Sequence, residues 1–433
     1  MLVRQAKAVL DFNWTGEYTM PGPRLYPHQW SWDSAFIAIG YCRYDQERAT
    51  SELRHLFEAQ WKNGLLPQIV FNPHFTNYFP GPNFWNATES PDAPKDCQTS
   101  GVVLPPIHAA AALYIYRHAE GGAKAKEFLE YAFPKLGDWH DYLYRERDPW
   151  REGLVYIRHP WESGMDNSPL WDQIMQRLHL RSDQIPRYHR ADIHTVSASD
   201  RPTSDTYDRF AYLVKFFAER DYDEAKIRQD CPFLVQDVLF NSLLARADRD
   251  LAEIARILGE DPSPHEELAK KTSGAIEEKL WDDARGTYLD YDLVDGSPIR
   301  AYFGPNLAGP LYAGIADQDR VERVVDTLEN EGFGLADEAV TPIPSYDLHG
   351  FGFSEERYWR GPVWINLNWF LMHGLEAYGY KHHAERLRKT IIELCENEGF
   401  HEYFDPSTGG GLGSILFSWS AALLLDVLME NGQ

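Results

Sequence analysis

"PPIHAAAALYIYRHA" at residues 105–119 runs almost directly into "GAKAKEFLEYAFPKLGDWHDYLYRER" at 122–147. The first stretch is apolar and rich in alanine on every face, so as a helix it belongs inside a core. The second carries charges between apolar positions three and four apart, which is the pattern of a helix with one wet face. A helix buried all round followed by an amphipathic one describes a hairpin with an inner and an outer arm.

That unit recurs. Apolar segments begin near Ser31 ("SWDSAFIAIGYC"), Thr206 ("TYDRFAYLVKFFAER"), Phe233 ("FLVQDVLFNSLLARADRDL"), Asn306 ("NLAGPLYAGIA"), Pro362 ("PVWINLNWFLMHGLEAYG") and Phe417 ("FSWSAALLLDVLME"). Charged partners include "QERATSELRHLFEAQW", "EELAKKTSGAIEEKLW", "QDRVERVVDTLENEG" and "KHHAERLRKTIIELCENEG". Inner and outer helices in alternation predict an all-α fold, a closed α/α toroid whose loops gather at one mouth. An open α-solenoid is the competing architecture. Two irregular stretches interrupt the alternation, at about 65–100 and 148–205. Segments of this length inside a compact domain are functional or disordered, and the aromatics of the first favour function. We read residues 1–433 as a single domain with these two insertions as a cap over the mouth.

Composition limits the function classes. The chain has 42 basic and 66 acidic residues, a net charge of −24, which argues against nucleic acid and anionic membrane surfaces as partners. No run of about 18 apolar residues could span a bilayer. The opening "MLVRQAKAVLDFNW" lacks the apolar core of a signal peptide. The four cysteines (Cys42, Cys97, Cys231, Cys395) are scattered, as expected of reduced thiols in a cytoplasmic protein. Oligomeric state is not legible, and a homo-oligomer stays open.

Aromatic residues make up 14% of the chain, and many stand in polar loops. One such loop, "HPWESGMDNSP" (159–169), sets Asp166 beside Trp161 and Met165. Asp166 could simply cap its turn. An apolar shoulder would instead raise its pKa and suit a general acid. Glu402, in "FHEYFDPSTGGGLG" (400–413), is flanked by aromatics and followed by glycines that allow close packing; neighbouring Asp405 reads as a turn start. Asp33 stands at the head of an inner helix, where capping is an adequate role, but Trp30 and Trp32 beside it also fit a clamp on sugar hydroxyls. Arg360 is open between ion pair and ligand contact. Arg201, in "SDRPTSDTYDRF", suits gripping a carboxylate. There is no zinc-type spacing of histidines with a carboxylate, no Gly-x-Ser-x-Gly elbow, no Walker loop and no dinucleotide fingerprint. Two separated carboxylates in an aromatic pocket point to glycoside hydrolysis.

The segments "PGPRLYPHQWSWDSAF", "HPWESGMDNSP", "YWRGPVWINLNWFL", "EYFDPSTGGGLG" and "FSWSAA" resemble glycoside hydrolase family 63, whose fold is an (α/α)6 barrel. The compact length resembles its small bacterial branch, the mannosylglycerate and glucosylglycerate hydrolases. The resemblance implies Asp166 as general acid and Glu402 as general base, with inversion at the anomeric carbon. It implies a sugar subsite of Trp32, Asp33, Trp161, Gly164 and Trp364, and a glycerate side of Tyr78, Gln98, Arg201, Tyr207, Tyr358 and Trp359. The partner it implies is a small anionic sugar–glycerate substrate, with no metal or organic cofactor. An α-glucosidase acting on a disaccharide is the nearest alternative. A sugar epimerase would need bases on both faces of a sugar carbon, and no convincing histidine pair is present. A non-catalytic sugar-binding protein would need the aromatics but not both carboxylates.

Overall fold

The structure is a computed structural model that describes residues 1–190, 192–330, 332–337 and 339–429. Six inner helices form a ring: α2 (Ser31–Tyr41), α4 (His108–Arg117), α6 (Val238–Leu258), α8 (Gly304–Ala313), α10 (Ile365–Ala377) and α12 (Ser418–Met429). Each packs on the next, and α12 packs back on α2. The ring is therefore closed, and the open solenoid is ruled out. The outer helices are α3 (Gln46–Glu58), α5 (Gly122–Arg147), α7 (Ser263–Ala275), α9 (Gln318–Asn330) and α11 (Lys381–Asn397). Burial follows the patterning. In α4 Ala109, Ala110, Ala111, Ala112 and Leu113 are all buried, whereas α11 buries one stripe of Ala384, Leu387, Ile391 and Leu394.

Two elements differ from the sequence reading. The sixth outer helix is α1 (Leu2–Asn13), which packs on α12. Asn13 Nδ2 ties the two chain ends, donating to the Leu416 carbonyl at 2.8 Å and to Ser418 Oγ at 2.9 Å. The helix expected from Thr206 is real (Ser204–Ala218), but it is not a ring member. Its apolar residues cover the segments beside the mouth instead. Phe210 packs on His159 and Trp161, and Tyr207 on Phe79. An amphipathic helix with no vacant place in the ring buries its stripe against the loops.

Short antiparallel pairs brace the mouth. Gln29–Trp30 pairs with Ile69–Val70 in the register Gln29↔Val70, and His401–Phe404 pairs with Gly411–Ile415 in the register Tyr403↔Leu412. No helix among the described residues is long and apolar enough to cross a membrane.

Candidate active site

One cavity gathers residues from the heads of α2 and α12, from the two irregular segments, and from the loops before α10 and α12. Its walls include Trp32, Asp33, Tyr78, Trp161, Gly164, Asp166, Arg201, Tyr207, Tyr358 and Glu402. Ten of the thirteen residues singled out from the sequence thus meet at one place.

Asp166 is held by a loop that others cap. Ser163 Oγ accepts from Met165 N at 2.9 Å, and Ser168 Oγ accepts from Leu170 N at 3.3 Å. Trp171 Nε1 donates to the Met165 carbonyl at 2.9 Å. Asp166 is left facing the cavity. Behind it, buried Glu162 pairs with Arg147 Nη2 at 2.9 Å and accepts from Arg158 N at 2.7 Å, pinning the loop to the barrel. Burial pushes the Asp166 carboxyl up to about 7, with the Glu402 charge adding to the rise and Arg201 opposing it. A carboxylic acid still protonated near neutrality can donate a proton.

Glu402 stands on the strand His401–Phe404, and its carboxylate is held at both ends. Tyr26 Oη donates to Oε1 at 2.5 Å and Ser414 N to Oε2 at 2.9 Å, with Arg201 Nη1 at 4.0 Å from Oε1. Burial raises its pKa, while Arg201 and these donors pull it back toward the ionised form. Gly413 on the facing strand has φ +69°, and a Cβ there would lie 2.6 Å from Glu402 Oε2. The close packing expected of the glycines next to Glu402 is found at this residue.

Arg201 is buried and clamped. Its Nη1 donates to Tyr26 Oη at 3.0 Å and its Nε to Asp192 Oδ2 at 3.3 Å, and its guanidinium lies 4.3 Å from the Tyr358 ring centre. Nη2 makes no hydrogen bond among the described residues. Asp33 lies within the first turn of α2, whose N-cap is Trp30, so Asp33 is not the N-cap. Burial holds its carboxyl well above the usual range. At Gly164, with φ +74°, a Cβ would stand 2.5 Å from the Trp32 ring, so only glycine admits that indole.

Three expected residues do not reach the cavity. Gln98 is exposed. Its carbonyl accepts from Phe71 N at 2.9 Å, while the next residue, Thr99, turns inward to meet Trp61 Nε1 at 2.9 Å. Alternation along an extended chain sends Gln98 the other way. Trp359 and Trp364 stack face to face at 3.8 Å behind the wall. Trp364 Nε1 donates to the Tyr358 carbonyl at 3.2 Å, bracing a residue held at φ 49°. Arg360 resolves as an ion pair, with Nη1 and Nη2 at 2.8 and 2.7 Å from the two Asp172 oxygens.

The cavity also contains residues the sequence reading passed over: Tyr26, Gln68, Phe417 and Trp419. Tyr26 lies four residues before Trp30 in a segment already marked by its aromatics. Nothing local distinguished Gln68 from Gln98. Among the described residues, no three His, Cys, Asp or Glu side chains assemble as a metal-ligand set.

The profile of the mannosylglycerate hydrolase MGH1-like glycoside hydrolase domain matches residues 26–420. The chain belongs to this glycoside hydrolase family. It is 63% identical over 430 residues to the mannosylglycerate hydrolase of Rubrobacter radiotolerans, covering 99% of this chain and 97% of that protein. It is 36% identical over 442 residues to the glucosylglycerate hydrolase of Mycolicibacterium hassiacum, covering 99% and 97%. A solved structure of the family 63 mannosylglycerate hydrolase from Thermus thermophilus, in complex with Tris and D-glycerate, superposes with a TM-score of 0.92. That match is at 42% identity and covers 98% of this chain and 99% of that one. The resemblance read from the motifs and the (α/α)6 barrel are both borne out, and the chain is a glycoside hydrolase.

Proposed function

We propose that this hydrolase cleaves 2-O-α-mannosyl-D-glycerate or 2-O-α-glucosyl-D-glycerate to hexose and D-glycerate, with inversion. The observation that carries the reading is a buried arginine, held by Tyr26 and Asp192 and 4.0 Å from Glu402, in the cavity where Asp166 and Glu402 stand in unlike surroundings. Asp166, raised to about 7, suits the general acid on the glycosidic oxygen. Glu402, held by Tyr26 Oη and Ser414 N, suits the base that activates water on the opposite face. Arg201 supplies the charge that a glycerate carboxylate requires.

Trp32, Asp33, Trp161 and Gly164 are the residues we assign to the sugar. Tyr78, Arg201, Tyr207 and Tyr358 are assigned to the glycerate side. Trp359 and Trp364 support that wall from behind. We read residues 1–433 as a single catalytic domain of a cytoplasmic enzyme; its last four residues lie outside the described ones. The segments at about 65–100 and 148–205 act as the cap, supported by the stacking of Phe79 on Tyr188 at 4.5 Å.

A panel of mannosylglycerate, glucosylglycerate and uncharged α-disaccharides tests the substrate. Free hexose from the glycerate-linked compounds is expected, and hydrolysis of the disaccharides alone would overturn the assignment in favour of a disaccharide α-glucosidase. An NMR time course should show β-hexose first, as inversion requires; prompt α-hexose would make Glu402 a nucleophile instead.

The pH profile follows from the two carboxyls. Asp166 must be protonated, so kcat/KM falls as pH rises through about 7. Glu402 must be ionised, and its raised pKa places the acidic limb above the usual glutamate range. A profile flat from pH 6 to 9 would remove Asp166 as the acid.

A further inference from the structure

A second cavity of about 190 Å³ adjoins the reaction cavity at Arg201. Tyr26, Tyr78, Arg201 and Tyr207 line both, so the arginine stands at the junction between them. The outer cavity also includes Arg24, Asn77 and Asp192. Arg24 is exposed and makes no ion pair or hydrogen bond among the described residues. Asp192 is the one carboxylate in this lining among the described residues, and its charge is already committed. Arg190 reaches both its oxygens at 3.0 and 2.6 Å, and Arg201 adds a third bond at 3.3 Å. Arg190 itself lies 4.0 Å from the Tyr207 ring centre. Counting Arg24 and Arg201 against Asp192, the lining carries +1 on a chain of net charge −24, and Arg190 behind it pairs with Asp192.

A small positive vestibule on an acidic protein focuses anions where the rest of the surface repels them. We propose that this outer cavity is an anion-receiving subsite. In it Arg24 takes the carboxylate of the incoming substrate and passes it to Arg201, and the glycerate product leaves by the same route. The inference rests on the substrate class proposed above and adds a site and a residue to it. Arg24 touches no reacting atom; its effect is on capture.

Steady-state kinetics of Arg24→Glu, Arg24→Gln and Arg24→Lys, on mannosylglycerate and glucosylglycerate at low and high salt, tests this. At about 10 mM salt the screening length is about 30 Å, and at 1 M it is about 3 Å. Arg24→Glu is expected to raise KM about tenfold at low salt. Arg24→Gln should give a smaller rise, and Arg24→Lys none. At high salt the gap to the wild type closes, and kcat is unchanged throughout. An exposed arginine with a merely structural role would not give a KM shift that salt removes and lysine rescues. Equal KM values at low salt would overturn the subsite, as would a shift that persists at high salt. If the wild type hydrolyses a glycerate-linked glycoside and the Arg24 variants match it, the vestibule alone falls. If the wild type hydrolyses neither, the substrate assignment falls and the vestibule with it.

Discussion

Asp166→Asn and Glu402→Gln should each lower turnover on the glycerate-linked substrate by about 10²–10⁴-fold, the range of a lost acid or base. Both replacements are close in shape, and Asp166 holds none of the bonds that shape its loop, so the fold should survive. The two variants should then separate by leaving group. A glycoside of an acidic phenol departs without full protonation, so Asp166→Asn loses much less on it. Glu402→Gln still lacks the base for water and should lose comparably on both. Near-native turnover in either variant on the true substrate would cancel that residue's role. A loss in Asp166→Asn that ignores leaving-group acidity would show that Asp166 acts on something other than the glycosidic oxygen.

The barrel was legible because its rule is repetitive. Helices apolar on every face belong inside the ring, and those with one wet face mostly line its outside. The two misplaced elements share one cause. Helix α1 has the composition of an outer helix but no inner helix before it in sequence, since its partner α12 lies at the far end of the chain. The Ser204–Ala218 helix has the composition of a barrel member, and only the count of six inner places excludes it. Periodicity reports how a helix is buried, not what buries it.

The site was legible to the extent that side chains stood out against their local sequence. Asp166 and Glu402 lie in loops whose aromatics and glycines had no evident structural use. Tyr26 was not separable, because its part depends on meeting Glu402 and Arg201 across 376 and 175 residues. Gln98 and Gln68 show the opposite limit. Both are glutamines near short strands, and the direction each side chain takes is set by strand register, which composition does not encode.

Arg201→Ala should raise KM for a glycerate-linked substrate by roughly ten- to a hundredfold, the equivalent of losing about 1.5–3 kcal/mol of charge-assisted hydrogen bonding. The guanidinium is well placed for this contact. It is 4% exposed, its Nε and Nη1 are committed to Asp192 and Tyr26, and Nη2 is left without a hydrogen bond among the described residues. Removing it also removes the positive charge that lowers the pKa values of Asp166 and Glu402. Both limbs of the pH profile should therefore move upward, on charged and uncharged substrates alike. That shared effect belongs to catalysis, whereas the KM effect belongs to the carboxylate, and the two are separated by substrate. The decisive quantity is the ratio of KM changes for mannosylglycerate and an uncharged α-glycoside, taken at each variant's own pH optimum. A large ratio assigns Arg201 to the glycerate. Arg201→Lys should recover part of the loss, because it restores the charge but not the planar fork. Equal KM changes on both substrates would take Arg201 out of the glycerate contact, and the anionic substrate class would lose the residue that best argues for it.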